Sequence, residues 1–253
     1  MRLEAQHLTK DFGNVHALDN LNFRFEGPGL IGYLGPNGAG KTTTLKLFAG
    51  LLHPTSGKVL VDGIEVQRRH KEAMSLLSAL IETPEPYSHQ SIGEFLKFIA
   101  KIRGIDDTLA GERIERLGKK LSLQDFATRC SDLSKGHRQR VVLAATLLPD
   151  TEMVILDEPT SGLDPAEARD TRLLLKELRK DKLILMSSHL LYEVTEVCDK
   201  IAFINRGKLL LIDSIKAIVE KFGKERPNGQ RESIADLEDV YVSLIREGNA
   251  RTS

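Results

Sequence analysis

A chain of 253 residues is long enough to bury one large core, or a core carrying an inserted subdomain, without covalent staples. Its 36 basic and 36 acidic residues cancel, which excludes the broad basic field needed for sequence-independent nucleic-acid binding, so no nucleic-acid partner is expected. Cys130 and Cys198 stand apart, without the spacing of a zinc site or a disulfide framework, and as two structural thiols they suit a reducing compartment.

Residues 1–34 read as strands: "RLEAQHLTKDF", "LDNLNFRFE" and the wholly apolar "LIGYL", whose composition suits a strand buried on both faces. The first of these alternates polar and apolar residues and contains no continuous apolar stretch, so it reads as a strand and not a signal peptide. A glycine-rich turn leads into a helix over "KTTTLKLFAGLL", closed by Pro54 and Gly57. "KVLVDG" resumes β character. Arg68, Arg69, His70 and Lys71 read as a solvated helix start, and "MSLLSALIE" as a strand ending near Glu82.

From Ser91 to Leu121 the apolar residues repeat at three and four, at Phe95, Phe98, Ile99 and Ile102 and then Ile114, Leu117 and Leu121. A further helix spans 133–148. After it, strand and helix alternate through "EMVILDE", Pro165 to Lys180, "KLILMSS", Leu190 to Val197 and the strand pair "KIAFIN" and "KLLLI". This order predicts an α/β fold with a mainly parallel sheet, an N-terminal antiparallel β subdomain and a helical subdomain at about 84–148. Residues 1–222 form the expected principal domain, while 223–253 hold a polar linker and a closing helix over "IADLEDVYVSLI". No stretch approaches the roughly 20 apolar residues of a membrane-spanning helix.

"GPNGAGKT", residues 35–42, fits the phosphate-loop pattern G-x-x-x-x-G-K-[ST] and has the required context, after a buried strand and before a helix. Gly35, Gly38 and Gly40 let the backbone approach phosphate oxygens, Lys41 would neutralise β/γ-phosphate charge, and the Thr42 hydroxyl would help hold Mg²⁺. Asp157 closes a buried strand, where a carboxylate reaches the metal, and Glu158 follows as a candidate base for an attacking water. In "LSKGHRQR", Ser134 and Gly136 stand at a helix entrance, which offers unpaired N–H groups and partial positive charge to an anion.

The set "GPNGAGKTT", "LSKGHRQR", "VILDEPTSGLD" and "SSH", in this order, resembles the ATP-binding subunit of ABC transporters over nearly the whole chain. The resemblance implies a P-loop NTPase core and ATP with Mg²⁺ as ligands. Asn37 and Thr43 join the phosphate loop, Phe12 in "KDFG" stacks under adenine, and His189 touches the γ-phosphate. Ser134 and Gly136 would meet the γ-phosphate of ATP on a second subunit, in a head-to-tail homodimer with Asp164 at the seam. A helix-capping role for Asp164, ahead of Pro165, is the local alternative. The implied partner is an integral-membrane permease, with the chain at the cytoplasmic face of the cell membrane.

Three positions depart from the family pattern. Glu82 stands where Gln is usual, as a metal-side residue with an added negative charge, and Lys135 and His137 replace a glycine and a glutamine type. Lys135 would either attract the γ-phosphate or face solvent. The block after Glu82 is where the family docks its permease, with Tyr87, Phe95 and Phe98 as groove aromatics, although helical spacing equally suits Phe95 and Phe98 as core. Glu82 and the ending "LEDVYVSLI" look similar to small exporter-type cassettes for drugs, antimicrobial peptides or lipids. The alternative, a soluble ABC-type ATPase acting on nucleic acid or ribosomes, usually carries two cassettes or a coiled-coil insertion, and neither fits; a GTP switch would need an N-K-x-D segment, which is missing.

Overall fold

The structure is a computed structural model that describes residues 1–82, 84–222 and 237–243. The predicted linker at 223–233 and both ends of the predicted closing helix lie outside these residues. In chain order the elements are β1 (Arg2–Phe12), β2 (Val15–Glu26), β3 (Gly29–Leu34), α1 (Lys41–Phe48), β4 (Ser56–Val61), β5 (Ile64–Glu65), α2 (His70–Ser75) and β6 (Leu77–Leu80). There follow α3 (Ile92–Ile102), α4 (Asp107–Lys120), α5 (Lys135–Leu147), β7 (Met153–Asp157), α6 (Pro165–Leu178) and β8 (Leu183–Ser188). The last are α7 (Leu191–Val197), β9 (Lys200–Asn205), β10 (Lys208–Ser214) and α8 (Ile215–Phe222). Residues 237–243 are helical.

Two sheets form. An antiparallel one has the order β2-β1-β4-β5, and a six-stranded one runs β10-β9-β3-β8-β7-β6, parallel except for its β9-β10 edge pair. This is the α/β architecture expected from the alternating elements.

The six-stranded sheet is covered on both faces, so its central strands are apolar throughout and their side chains alternate between two cores. Leu30, Leu34, Val154, Leu156, Ile184 and Met186 pack toward α3, α4 and α5, whereas Ile31, Tyr33, Met153, Ile155, Leu183 and Leu185 pack toward α1 and the antiparallel sheet. Each such leucine contributes about 1.5–3 kcal/mol when fully buried. Phe203 of β9 meets Tyr241 at 5.6 Å between ring centroids, which ties residues 237–243 to the sheet.

Beyond the unpredicted β5 and α8 and a β2 that begins earlier, at Val15, two differences from the sequence reading have a clear local cause. The predicted strand over 74–82 is confined to β6, because only Leu77 to Leu80 find partners on β7; Met74 and Ser75 end α2 instead. The first helix stops at Phe48, where Gly50 takes φ +67° and turns the chain away. The charged stretch at 68–71 opens α2 with its side chains in solvent.

Candidate functional site

The end of β3 delivers the chain into a loop, residues 35–40, that enters α1 at Gly40. Gly40 takes φ +103° and has no side chain with which to cap the helix, so the first-turn N–H groups are left facing the loop opening. Close packing also requires glycine here: a Cβ at Gly40 would meet the Ala17 carbonyl at 2.7 Å, and one at Gly35 would meet the Ile204 carbonyl at 2.3 Å. Asn37 and Gly38 form the exposed crest, and Thr43 is half-buried beneath. The Lys41 ammonium lies within the loop, donating to the carbonyls of Gly35 at 2.7 Å and Pro36 at 3.2 Å. Burial lowers its pKa below the usual lysine value, against the opposing charges of Glu158 and Asp157.

Asp157 ends β7 and is buried. Its Oδ2 accepts the Thr42 hydroxyl at 2.9 Å and the Glu82 N–H at 3.4 Å, and its Oδ1 accepts the Ser187 hydroxyl at 2.5 Å. Glu158 follows with φ +46°, its N–H donating to Ser187 Oγ at 3.0 Å. Its Oε1 lies 3.1 Å from His189 Nδ1 and 3.9 Å from Lys41 Nζ. The structure therefore brings Lys41, Thr42, Asp157, Glu158 and His189 to one place. Glu82 contributes its N–H there, while its carboxylate turns away to Lys46 Nζ at 2.5 Å.

The donor set suits Mg²⁺. Among the described residues no three His, Cys, Asp or Glu side chains cluster as a complete metal cage. What Thr42 and Asp157 offer is a hydroxyl and a carboxylate, the hard oxygens this ion takes when phosphate and water supply the rest.

A second group assembles around α5. Ser134 is its N-cap, accepting the His137 N–H at 3.2 Å, and its Oγ lies 2.8 Å from His137 Nδ1. Gly136 rests on Glu167, where a Cβ would come within 2.0 Å of the carboxylate. That carboxylate also accepts from Arg140 at 2.9 Å and from the Asp164 N–H at 3.4 Å. Asp164 caps α6 ahead of Pro165, accepting from the N–H groups of Ala166 at 2.9 Å and Glu167 at 2.8 Å. The local capping alternative for Asp164 is thus realised. Lys135 is exposed to solvent, the second of the two alternatives, and its chain runs over Gly162, where a Cβ would meet Nζ at 2.6 Å.

Phe12 is 47% exposed at the end of β1, with Lys10 Nζ lying over its ring, 4.9 Å from the centroid. Of the other aromatics, Phe95 is core at 7% exposure, and Phe98 is 37% exposed and in edge contact with Tyr87 at 5.7 Å. An apolar groove of about 440 Å³ lies beside them, lined by Leu51, Leu77, Ile81, Pro84, Phe95 and Ile99 among others. The sequence reading gave no role to Ser187 or Lys46. The signal for Ser187 was available, since a hydroxyl at the end of a buried strand in register with Asp157 has an obvious partner.

With this geometry in place, comparison with known proteins is informative. A family model described as "ABC transporter" matches residues 18–161. The "Probable multidrug ABC transporter ATP-binding protein YbhF" of Escherichia coli (strain K12) is 33% identical over 250 residues, covering 97% of this chain, which spans only 42% of that relative's length. The "Bacitracin transport ATP-binding protein BcrA" of Bacillus licheniformis is 33% identical, with 94% of this chain and 79% of the relative covered. A solved structure described as "Structure of ATP binding subunit of ABC transporter" superposes with a TM-score of 0.85 at 25% identity, covering 96% of this chain and 99% of the other. By sequence and by fold, the chain belongs to the ABC transporter family.

Proposed function

We propose that this chain is the ATP-hydrolysing subunit of an ABC transporter, and that it drives a separate membrane permease, in the direction of export. The names of its multidrug and bacitracin relatives support that direction. Among the described residues no helix is long and apolar enough to cross a membrane. In this reading the permease makes the crossing and this chain sits at its cytoplasmic face. The apolar groove beside Leu51 and Ile81 is the surface offered to it.

In this reading the phosphate loop and Lys41 hold the β/γ-phosphates, Phe12 stacks on adenine, and Thr42 and Asp157 hold Mg²⁺, with Glu82 nearby. When bound, the metal neutralises charge on the transferred phosphoryl group. Glu158 takes the proton of the attacking water, a contribution of roughly 10²- to 10⁴-fold, and His189 orients it. The observation that carries this reading is the 3.1 Å approach of His189 Nδ1 to Glu158 Oε1, beside Lys41.

Ser134 and Gly136 complete the site of a second copy, offering the N-terminus of α5 to its γ-phosphate, so that ATP joins two chains and hydrolysis releases them. The test is phosphate release from Mg-ATP by the purified chain. Lys41→Ala should abolish it, and full turnover in that variant would refute the assignment of the loop.

A further inference from the structure

Glu193, in the first turn of α7, is only 5% exposed, and its two carboxylate oxygens accept hydroxyls from two separate segments, the loop after β7 and the last residue of β8. Oε1 takes Thr160 at 2.8 Å and Oε2 takes Ser188 at 3.0 Å. Thr160 is two residues beyond Glu158, and Ser188 immediately precedes His189. From this geometry we infer that Glu193 is a positioning residue for hydrolysis, a clamp that joins the loop after β7 to the end of β8 and thereby sets Glu158 against His189. The inference rests on the roles given above to those two residues.

Two observations and one physical argument support the clamp. All five residues, Glu158, Thr160, Ser188, His189 and Glu193, line a single cleft of about 450 Å³. Burying a carboxylate is costly unless donors satisfy it, and an apolar side chain would fill the space without that cost, but it could not fix two hydroxyls from separate segments. The base of the clamp is also rigid. Its neighbour Val194 packs so closely on Gly32 of β3 that a Cβ there would come within 2.1 Å of it.

A helix in contact with the strand that leads into the phosphate loop thus holds the loop after β7 and the end of β8. Glu193 touches neither nucleotide nor water in this scheme; its effect passes through Thr160 and Ser188. Misplacement of a reacting group by about 1 Å can cost 10²-fold in rate, so the clamp has ample leverage.

The test compares Glu193→Ala, Thr160→Val and Ser188→Ala with Glu158→Gln. With Mg-ATP, Glu193→Ala should lower kcat by about 10- to 100-fold while KM and ATP affinity stay within about twofold. An ATP-bound species should accumulate as in Glu158→Gln, and Glu193→Gln, which keeps one acceptor, should recover part of the rate. Adding Thr160→Val to Glu193→Ala should cost little more, because both release the same loop. Thr160→Val and Ser188→Ala are near-isosteric, so they test the clamp even where Glu193→Ala does not fold.

Native kcat in those two variants, or loss of ATP affinity in parallel with turnover, would overturn the inference. The outcomes separate cleanly from the underlying reading. If Glu158→Gln itself turns over, the hydrolytic roles fail; if it is inactive while the clamp variants run at the native rate, only the clamp fails.

Discussion

The Ser187 hydroxyl donates to Asp157 Oδ1 at 2.5 Å and accepts the Glu158 N–H at 3.0 Å, so one side chain on β8 fixes two consecutive acidic residues on the neighbouring strand end. Replacing it with alanine strands a buried donor and a buried acceptor together. Ser187→Ala should therefore destabilise the fold by about 1–3 kcal/mol in urea unfolding and weaken Mg-ATP binding more than binding of ATP without metal. Unchanged stability and unchanged metal dependence would show that Asp157 is held by other means.

Glu82 donates its N–H to the Asp157 carboxylate at 3.4 Å, while its own exposed carboxylate pairs with Lys46 at 2.5 Å. An exposed pair contributes little to stability, so Lys46→Met should change unfolding by no more than about 0.5 kcal/mol. Its effect should appear in binding. An unneutralised Glu82 next to phosphates should lower Mg-ATP affinity severalfold by calorimetry, and adding Glu82→Gln should restore it; a double variant no better than Lys46→Met would count against the electrostatic account.

Gly136 has two reasons to lack a side chain, its contact with Glu167 in the same chain and its proposed approach to a phosphate on another. Gly136→Ala isolates the first, because a methyl group at 2.0 Å from a carboxylate oxygen forces a shift of α5 against α6. A loss of about 1–3 kcal/mol is expected from that overpacking. Gly136→Asp adds charge, so it should abolish ATP-dependent association where the alanine variant only weakens it. Equal behaviour of the two would place the whole effect at Glu167.

Both cysteines are buried free thiols, and burial pushes each pKa up, Cys198 far above its ordinary value of 9.0. A thiol whose folded-state pKa is raised keeps its proton where the unfolded chain has lost it. The stability this represents is complete below about pH 9 and drains away as pH rises further. The native protein should resist thiol alkylation at pH 8 and release two reactive thiols on unfolding in denaturant. Rapid labelling of the folded chain would contradict the burial.

Much of this architecture could be read from residue order. "LIGYL" and "MVILD" are apolar at every position because α1 and the antiparallel sheet cover one face and α3 to α5 the other, and that double burial is visible as composition. The phosphate loop was equally legible, since glycine spacing there answers to backbone approach within a few residues. What sequence could not supply was the direction of side chains whose partners are remote. Glu82 turns to a lysine on α1, Lys135 to Gly162, and Glu193 to hydroxyls on the loop after β7 and at the end of β8, each choice being made by tertiary packing. Phe98 stayed ambiguous for a related reason: helical spacing marks an inward face but not its edge, where this ring lies half in solvent.

The central claim is that no single chain holds a complete reaction centre, because Ser134 and Gly136 serve the nucleotide of a neighbour. Light scattering on Glu158→Gln with saturating Mg-ATP tests it most directly, with the same protein in ADP as control. The account predicts twice the monomer mass with ATP, carrying two nucleotides, and monomer mass with ADP. A particle that remains monomeric with ATP fully bound would contradict it.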